Sequence, residues 1–272
     1  MQEVINLSKG QTIDLRKNSR GENVYDLSQI TVGLGWDVRE EKIKKSVELE
    51  QSTIDKLLGR PKKYQEVEIE QEDFDLDAIA FLLDSNGLVA NLGRDLPFSN
   101  GNKVGLHGGD IIFFNSMTYP SGSGTSQMLY PEGSTKSAMQ QKVKQLLNNG
   151  ELIVHTGDNL TGEGEGDDEQ IIVKLNSLPQ KIEKILFIVC IYKGQERSQD
   201  FGKVDNAFIR ACDTNGKEIA RFNLSNSPEF NGMRSMVFGE MYRHNGDWKF
   251  RALGNPETTD SFVQILKRYI KQ

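Results

Sequence analysis

Cysteine and histidine are scarce in this chain of 272 residues: there are two cysteines, Cys190 and Cys212, and three histidines, His107, His155 and His244. The histidines are widely separated and none lies near a cysteine in sequence, which excludes a zinc cluster of the usual local Cys/His spacing. Both cysteines sit in apolar, strand-like sequence, so they are expected as buried free thiols in a reducing compartment rather than as a disulfide. Long hydrophobic runs are also missing. The most apolar stretch, ILFIVCIY at 185–192, falls far short of the roughly 20 residues that span a bilayer. The opening, MQEVINLSKGQTIDL, lacks the apolar core of a secretory signal. A cytoplasmic protein without a transmembrane segment is the expectation. An excess of basic charge is absent too: 33 Lys and Arg against 39 Asp and Glu give a net charge of -6, which argues against a nucleic-acid partner. With 7 prolines and 36% hydrophobic residues, the composition is that of a globular chain rather than a disordered one.

What is present is a series of short strand patterns. The length fits one large all-β domain or two small ones. ITVGLGWDV near the start and DIIFFN in the middle are rich in β-branched and aromatic residues. After residue 168 come EQIIVKLNSL, KILFIVCIY, NAFIRACD, GKEIARFNLS, MVFGEMYRH and WKFRALG, with DTNG and HNGD as turns between neighbours. This spacing predicts an all-β sandwich of mostly antiparallel strands rather than βαβ units. A few short helices are expected around it. TIDKLLG is started by Ser52 and Asp55 and stopped by Gly59 and Pro61. A second helix carries Met139, Val143, Leu146 and Leu147 behind a Ser134 cap, and a C-terminal one carries Phe262, Ile265, Leu266, Tyr269 and Ile270. The strand ending DLDAIAFLLDSNG and the later one ending NAFIRACDTNGKE look alike, which suggests a duplicated half-sandwich.

The chemistry lies in two acidic clusters. In EVEIEQEDFDLDA, a period of two puts Asp73, Asp75 and Asp77 on one face of an extended segment. In GDNLTGEGEGDDE, at 157–169, Asp158, Glu163, Glu165, Asp167, Asp168 and Glu169 crowd among glycines, and no basic residue occurs between His155 and Lys174. Such repulsion is costly unless water or a cation relieves it. Calcium takes six to eight oxygen ligands, which a glycine-rich loop can turn inward at little steric cost. The loop is not an EF-hand: counted from Asp158, Leu160 and Gly162 fall on ligand positions, and Glu163 stands where the turn glycine belongs. GEGEG is a poor phosphate cradle unless a bound metal bridges loop and phosphate, since no Lys-Ser/Thr follows and its carboxylates repel phosphate. A solvated acidic turn is the plain alternative. A second carboxylate cluster on the predicted FDLDA strand favours calcium over it if the two clusters meet. His155 adjoins the loop and is expected to hydrogen-bond rather than ligate.

Taken in order, ITVGLGWD (30–37), FDLDAIAFLLD (74–84), FFN (113–115), HTGDNLTGEGEGDDE (155–169), FGKVDNAFIRACD (201–213), EIARFNLS (218–225) and FGEMYRHNGDWKFRALG (238–254) resemble the tellurium-resistance, or TerD-like, stress proteins. The resemblance spans most of the chain and implies a calcium-binding β-sandwich, a single domain over 1–272. It implies metal ligands at Asp75, Asp77, Asp158, Asp167, Asp168 and Glu169, with Asn159 and the loop backbone as secondary contributors and Asn206 as a weaker one. It also implies a non-enzymatic binding or signalling module in stress response, with calcium as cofactor and an unidentified protein partner. Two departures stand out. Segments 38–72 and 116–151 are expanded relative to the family pattern and read as surface excursions, and Glu165 stands where aspartate is frequent. Competing readings are a structural component of a larger assembly that uses the expansions as contact surfaces, and a metal-dependent phosphoester hydrolase. The hydrolase lacks a nucleophile motif and any basic residue in the loop.

Overall fold

A computed structural model describes residues 5–15, 21–22, 25–26, 28–38, 42–70, 74–97, 103–122, 124–130, 134–157, 167–223 and 228–271. The first strands are β1 (Ile5–Asn6), β2 (Thr12–Asp14), β3 (Ile30–Val38), β4 (Lys42–Glu48), β5 (Tyr64–Glu70) and β6 (Leu76–Leu83). β7 (Arg94–Pro97), β8 (Lys103–His107), β9 (Ile111–Ile112), β10 (Thr118–Tyr119), β11 (Ile153–His155) and β12 (Glu169–Val173) follow. The last are β13 (Lys184–Ile191), β14 (Val204–Cys212), β15 (Glu218–Asn223), β16 (Ser235–His244) and β17 (Asp247–Glu257). The α-helices are α1 (Thr53–Leu57), α2 (Ser126–Leu129), α3 (Lys136–Asn148) and α4 (Phe262–Leu266).

Two sheets carry the fold. One is seven-stranded, ordered β1-β15-β14-β3-β12-β11-β10; the other is six-stranded, ordered β2-β17-β16-β13-β6-β9. Their strands pair antiparallel except for the parallel β1 and β15. The sequence of β6, LDAIAFLL, shows no polar alternation after Asp77 because both of its faces are covered. Leu76, Ala78, Ala80 and Leu82 face the core between the sheets, while Ile79, Phe81 and Leu83 face an outer layer formed by Phe262, Ile265, Leu266 and Tyr269. Each large apolar side chain buried in this way contributes about 1.5–3 kcal/mol. The seven-stranded sheet is covered in turn by α3, whose Val143 and Leu147 pack with Val154, Ile172, Met117 and Tyr130. The result is a sandwich with a helix on each outer face.

The suggested duplication has a geometric counterpart. β3 lies between β14 and β12, and β13 lies between β6 and β16, so β3 and β13 hold equivalent places in opposite sheets. β6 and β14 then correspond, and both run into the same turn. Asp84 Oδ1 accepts from Asn86 N at 2.8 Å and Leu88 N at 3.0 Å, and Asp213 Oδ1 accepts from Asn215 N and Lys217 N, each at 2.9 Å. Gly87 and Gly216 close these turns at φ 74° and 76°, a conformation that favours glycine.

The two expanded segments differ in kind. β4 and β5 pair with each other and with no other described strand. The arm they form with α1 exposes Leu57 (86%), Leu58 (60%) and Tyr64 (58%) to solvent, as expected of a surface excursion. Segment 116–151 is not an excursion, and that expectation is corrected. Met117 and Thr118 are completely buried, β10 is an edge strand of the seven-stranded sheet, and α3 supplies that sheet's outer cover. Its glycine- and serine-rich stretch suggests a loop, but the apolar residues on either side of that stretch need burial and find it on the sheet. The helix is capped by Thr135, whose hydroxyl accepts from Ala138 N, rather than by Ser134.

Candidate metal centre at the acidic loop

The acidic loop connects β11 to β12, two antiparallel neighbours in register at His155 and Ile171. Its neck is zipped by Thr156 N donating to Gln170 O at 2.9 Å and Gln170 N donating to Thr156 Oγ1 at 3.0 Å. Asp158 and Asn159, with Glu163 and Glu165, lie in 158–166, outside the described residues, and so does Asp73. What the structure describes is how the two feet of the loop are held.

At the first foot, Gly157 N donates to His155 Nδ1 at 3.1 Å. That bond makes Nδ1 an acceptor, so the ring proton sits on Nε2, which donates to Ala78 O of β6 at 3.0 Å. Both ring nitrogens are thereby used, as expected for a hydrogen-bonding rather than a ligating histidine.

The second foot, Asp167, Asp168 and Glu169, points three ways. Glu169 turns inward between the sheets: it is 1% exposed, its Oε2 accepts from Ala78 N at 2.7 Å, and the same oxygen lies 3.6 Å from His155 Nε2. Asp168 Oδ2 accepts from Trp36 N of β3 at 3.0 Å, and Trp36 Nε1 crosses to Phe74 O at 3.3 Å. Asp167 turns outward. Its Oδ1 accepts from Arg210 Nε at 2.7 Å and its Oδ2 from Gln170 Nε2 at 2.9 Å, and its side chain is 2% exposed. Arg210 also donates to Glu218 Oε2 at 3.1 Å, and Glu218 in turn accepts from Arg221. Burial works against the charge of Arg210, but its bonds to Asp167 and Glu218 outweigh that and raise its pKa above the ordinary arginine value.

The FDLDA aspartates stand at the same end of the sandwich, since Asp77 immediately precedes the Ala78 N–H that Glu169 grips. Both are buried at 7%. Asp77 pairs in register with Cys190, a member of the outer layer, so its side chain shares that face. Asp75 O accepts from Tyr192 N at 2.8 Å. Asn206, the weaker candidate, donates from Nδ2 to Asp37 Oδ2 at 2.7 Å. Among the described residues, no three His, Cys, Asp or Glu side chains converge as a metal-binding group. The donors at the loop feet are carboxylate oxygens, with the nitrogens of His155 spent, and that set suits a hard cation better than zinc.

Comparison with known proteins gives the chain its relatives. A family profile described as TerD domain matches residues 4–144 and again 143–269. The chain belongs to the TerD family. Among its relatives, tellurium resistance protein TerX of Serratia marcescens is 44% identical over 98% of this chain and 99% of that protein. Tellurium resistance protein TerD of Serratia marcescens is 35% identical over 92% and 89% of the two chains. General stress protein 16U of Bacillus subtilis (strain 168) is 33% identical over 92% and 90%. The resemblance read from the motifs is therefore a family membership. The TerD fold places Arg210, Gln170 and Gly33 at the acidic loop, and none of the three belongs to the acidic clusters of the sequence. The available signal was Arg210 itself, a lone cation in the apolar strand NAFIRACD, where a charge requires a partner.

Proposed function

We propose that this TerD-family protein is a calcium-binding, non-enzymatic module of the tellurium-resistance and stress-response type. The observation that carries the reading is the fixing of the acidic loop at both feet, by His155 on one side and by Asp167, Asp168 and Glu169 on the other. Between those feet the sequence supplies nine residues, 158–166, with three carboxylates and no cation of their own. A divalent ion relieves that repulsion, and a pre-positioned frame lowers the ordering cost of binding it. Asp158, Asn159 and the loop carbonyls would hold the ion, with Asp168 at the foot and Asp75 and Asp77 at the same end of the sandwich, while Glu169 stays on Ala78 N. The bound ion would supply charge neutralisation and loop order. Catalysis is disfavoured because His155 and Glu169, the nearest acid–base pair, are buried and committed to backbone groups.

Calorimetric titration with calcium and magnesium tests the reading. Calcium should bind more tightly, since magnesium dehydrates reluctantly and demands a strict octahedron. At free calcium ~100 times its dissociation constant, linkage adds about 2.7 kcal/mol to stability, visible as a rise in melting temperature that a chelator reverses. No heat and no thermal shift would overturn it.

The projecting arm favours a second reading, a component of a larger assembly, because it exposes Leu57, Leu58 and Tyr64 beside the exposed Val47 and Leu49. Mass determination and partner capture, with and without the arm and with and without calcium, separate a docked component from a free module.

A further inference from the structure

Arg210, Gly33 and Gln170 form one cross-strand row: Arg210 is paired with Gly33 between β14 and β3, and Gly33 with Gln170 between β3 and β12. Val32 and Leu34 belong to the inter-sheet core, so alternation turns position 33 to the outer face of the sheet. Two long polar side chains therefore flank a glycine floor. The Asp167 carboxylate fills the gap between them, so close to the floor that a Cβ on Gly33 would lie 2.1 Å from Asp167 Oδ2. One oxygen goes to each wall, 2.7 Å to Arg210 Nε and 2.9 Å to Gln170 Nε2. This is a fitted socket for one carboxylate, at the residue where the acidic loop rejoins the sheet.

We infer that Asp167 is the latch seating the acidic loop on the sheet, with Arg210 as its positioning residue, and that it is not one of the ion's ligands. The inference rests on the calcium reading for its second half. An ion on Asp167 would sit against the Arg210 guanidinium and be repelled by it. Withdrawing Asp167 toward an ion would leave the socket empty and, among the described carboxylates that pair with Arg210, only Glu218 in place.

The two roles predict opposite signs for one substitution. If Asp167 is a latch, Arg210→Gln and Asp167→Asn both weaken calcium binding, by about 10- to 100-fold as is usual for residues that orient ligands. In that case the number of ions bound is unchanged and the double variant is no worse than either single one. If Asp167 is a ligand, Arg210→Gln removes a competing cation and tightens calcium binding, while Asp167→Asn loosens it; that outcome overturns the inference. A second measurement does not depend on the calcium affinity of any variant. In chelator, the Arg210 Nε–H should give a protected NMR resonance in the wild type that Asp167→Asn abolishes. On calcium saturation the wild-type resonance should persist, and its loss would show Asp167 turning to the ion. Absence of any calcium response in the wild type would refute the calcium reading, while the chelator spectra would still decide whether the latch exists.

Discussion

The glycine floor makes the latch open to a stability measurement that needs no ion. In Gly33→Ala the three atoms nearest the new Cβ all belong to the Asp167 carboxyl group, at 2.1 to 2.5 Å, so the group has to leave its socket. The loss is a charge-assisted hydrogen bond to a 26% exposed Arg210, worth about 1.5–3 kcal/mol. Against it stands the gain of about 0.5–1 kcal/mol from replacing glycine within a strand. The expected net cost is about 1–2 kcal/mol. In an Asp167→Ala background the obstacle is gone, and the same Gly33→Ala change should stabilise by about 0.5–1 kcal/mol. Urea unfolding of the four proteins in chelator, followed by circular dichroism, gives the coupling directly, and its sign reversal is the signature of the socket. Equal effects of Gly33→Ala in both backgrounds would refute the argument, because the glycine would then be serving something other than Asp167.

Further outcomes follow from other parts of the fold. Burial opposes the charge of Glu218, but hydrogen bonds from Arg221 and Arg210 outweigh it and hold its pKa below the ordinary carboxylate value. The stability it contributes is present above its unfolded pKa, near 4.5, and is lost as the pH falls through the folded one. Glu218→Gln should therefore flatten the fall in melting temperature below pH 4.5, and an unchanged acid limb would rule this out. Burial, with Asp77 adding to it, pushes the Cys190 thiol well up, and burial pushes Cys212 up to about 11. At pH 8 the native protein should thus leave a thiol reagent unreacted until denaturant releases both cysteines, and rapid labelling of either would contradict their burial. Replacing the β4–β5 arm with a short linker should leave the unfolding transition cooperative and calcium binding intact, whereas deleting 116–151 should abolish folding. Soluble expression and thermal melts of the two deletions check both.

Much of the architecture was legible because the signals are local. β-branched runs bounded by DSNG, DTNG and HNGD turns locate strands β6, β14 and β16 without any tertiary knowledge, and the acidic loop identifies itself by composition. Segment 116–151 was misread because its start, YPSGSGTSQ, carries loop chemistry. Whether the apolar residues beside it find a sheet to cover depends on pairing between Tyr119 and Ile153, 34 positions apart. The latch was illegible for the same reason. Glycine in a strand announces a close approach but not the visitor, and only the register that aligns Arg210, Gly33 and Gln170 reveals a socket. The family resemblance likewise implies Asp167, Asp168 and Glu169 together as ligands. The strand geometry sends the three carboxylates in different directions, to Arg210 and Gln170, to Trp36 and to Ala78.

The exchange of places between β3 and β13 affects how the chain is made. Each sheet is completed by strands from the other half of the chain: β3 waits for β14, and β6 waits for β13. On a ribosome the first half emerges with β3 and β6 each missing a neighbour, β6 being the almost wholly apolar LDAIAFLL. Such edges pair readily with any strand that arrives. Folding therefore closes late, as β13 to β17 emerge one after the other and fill both sheets. The interval before their arrival is when a newly made chain is most exposed to pairing with another copy of itself.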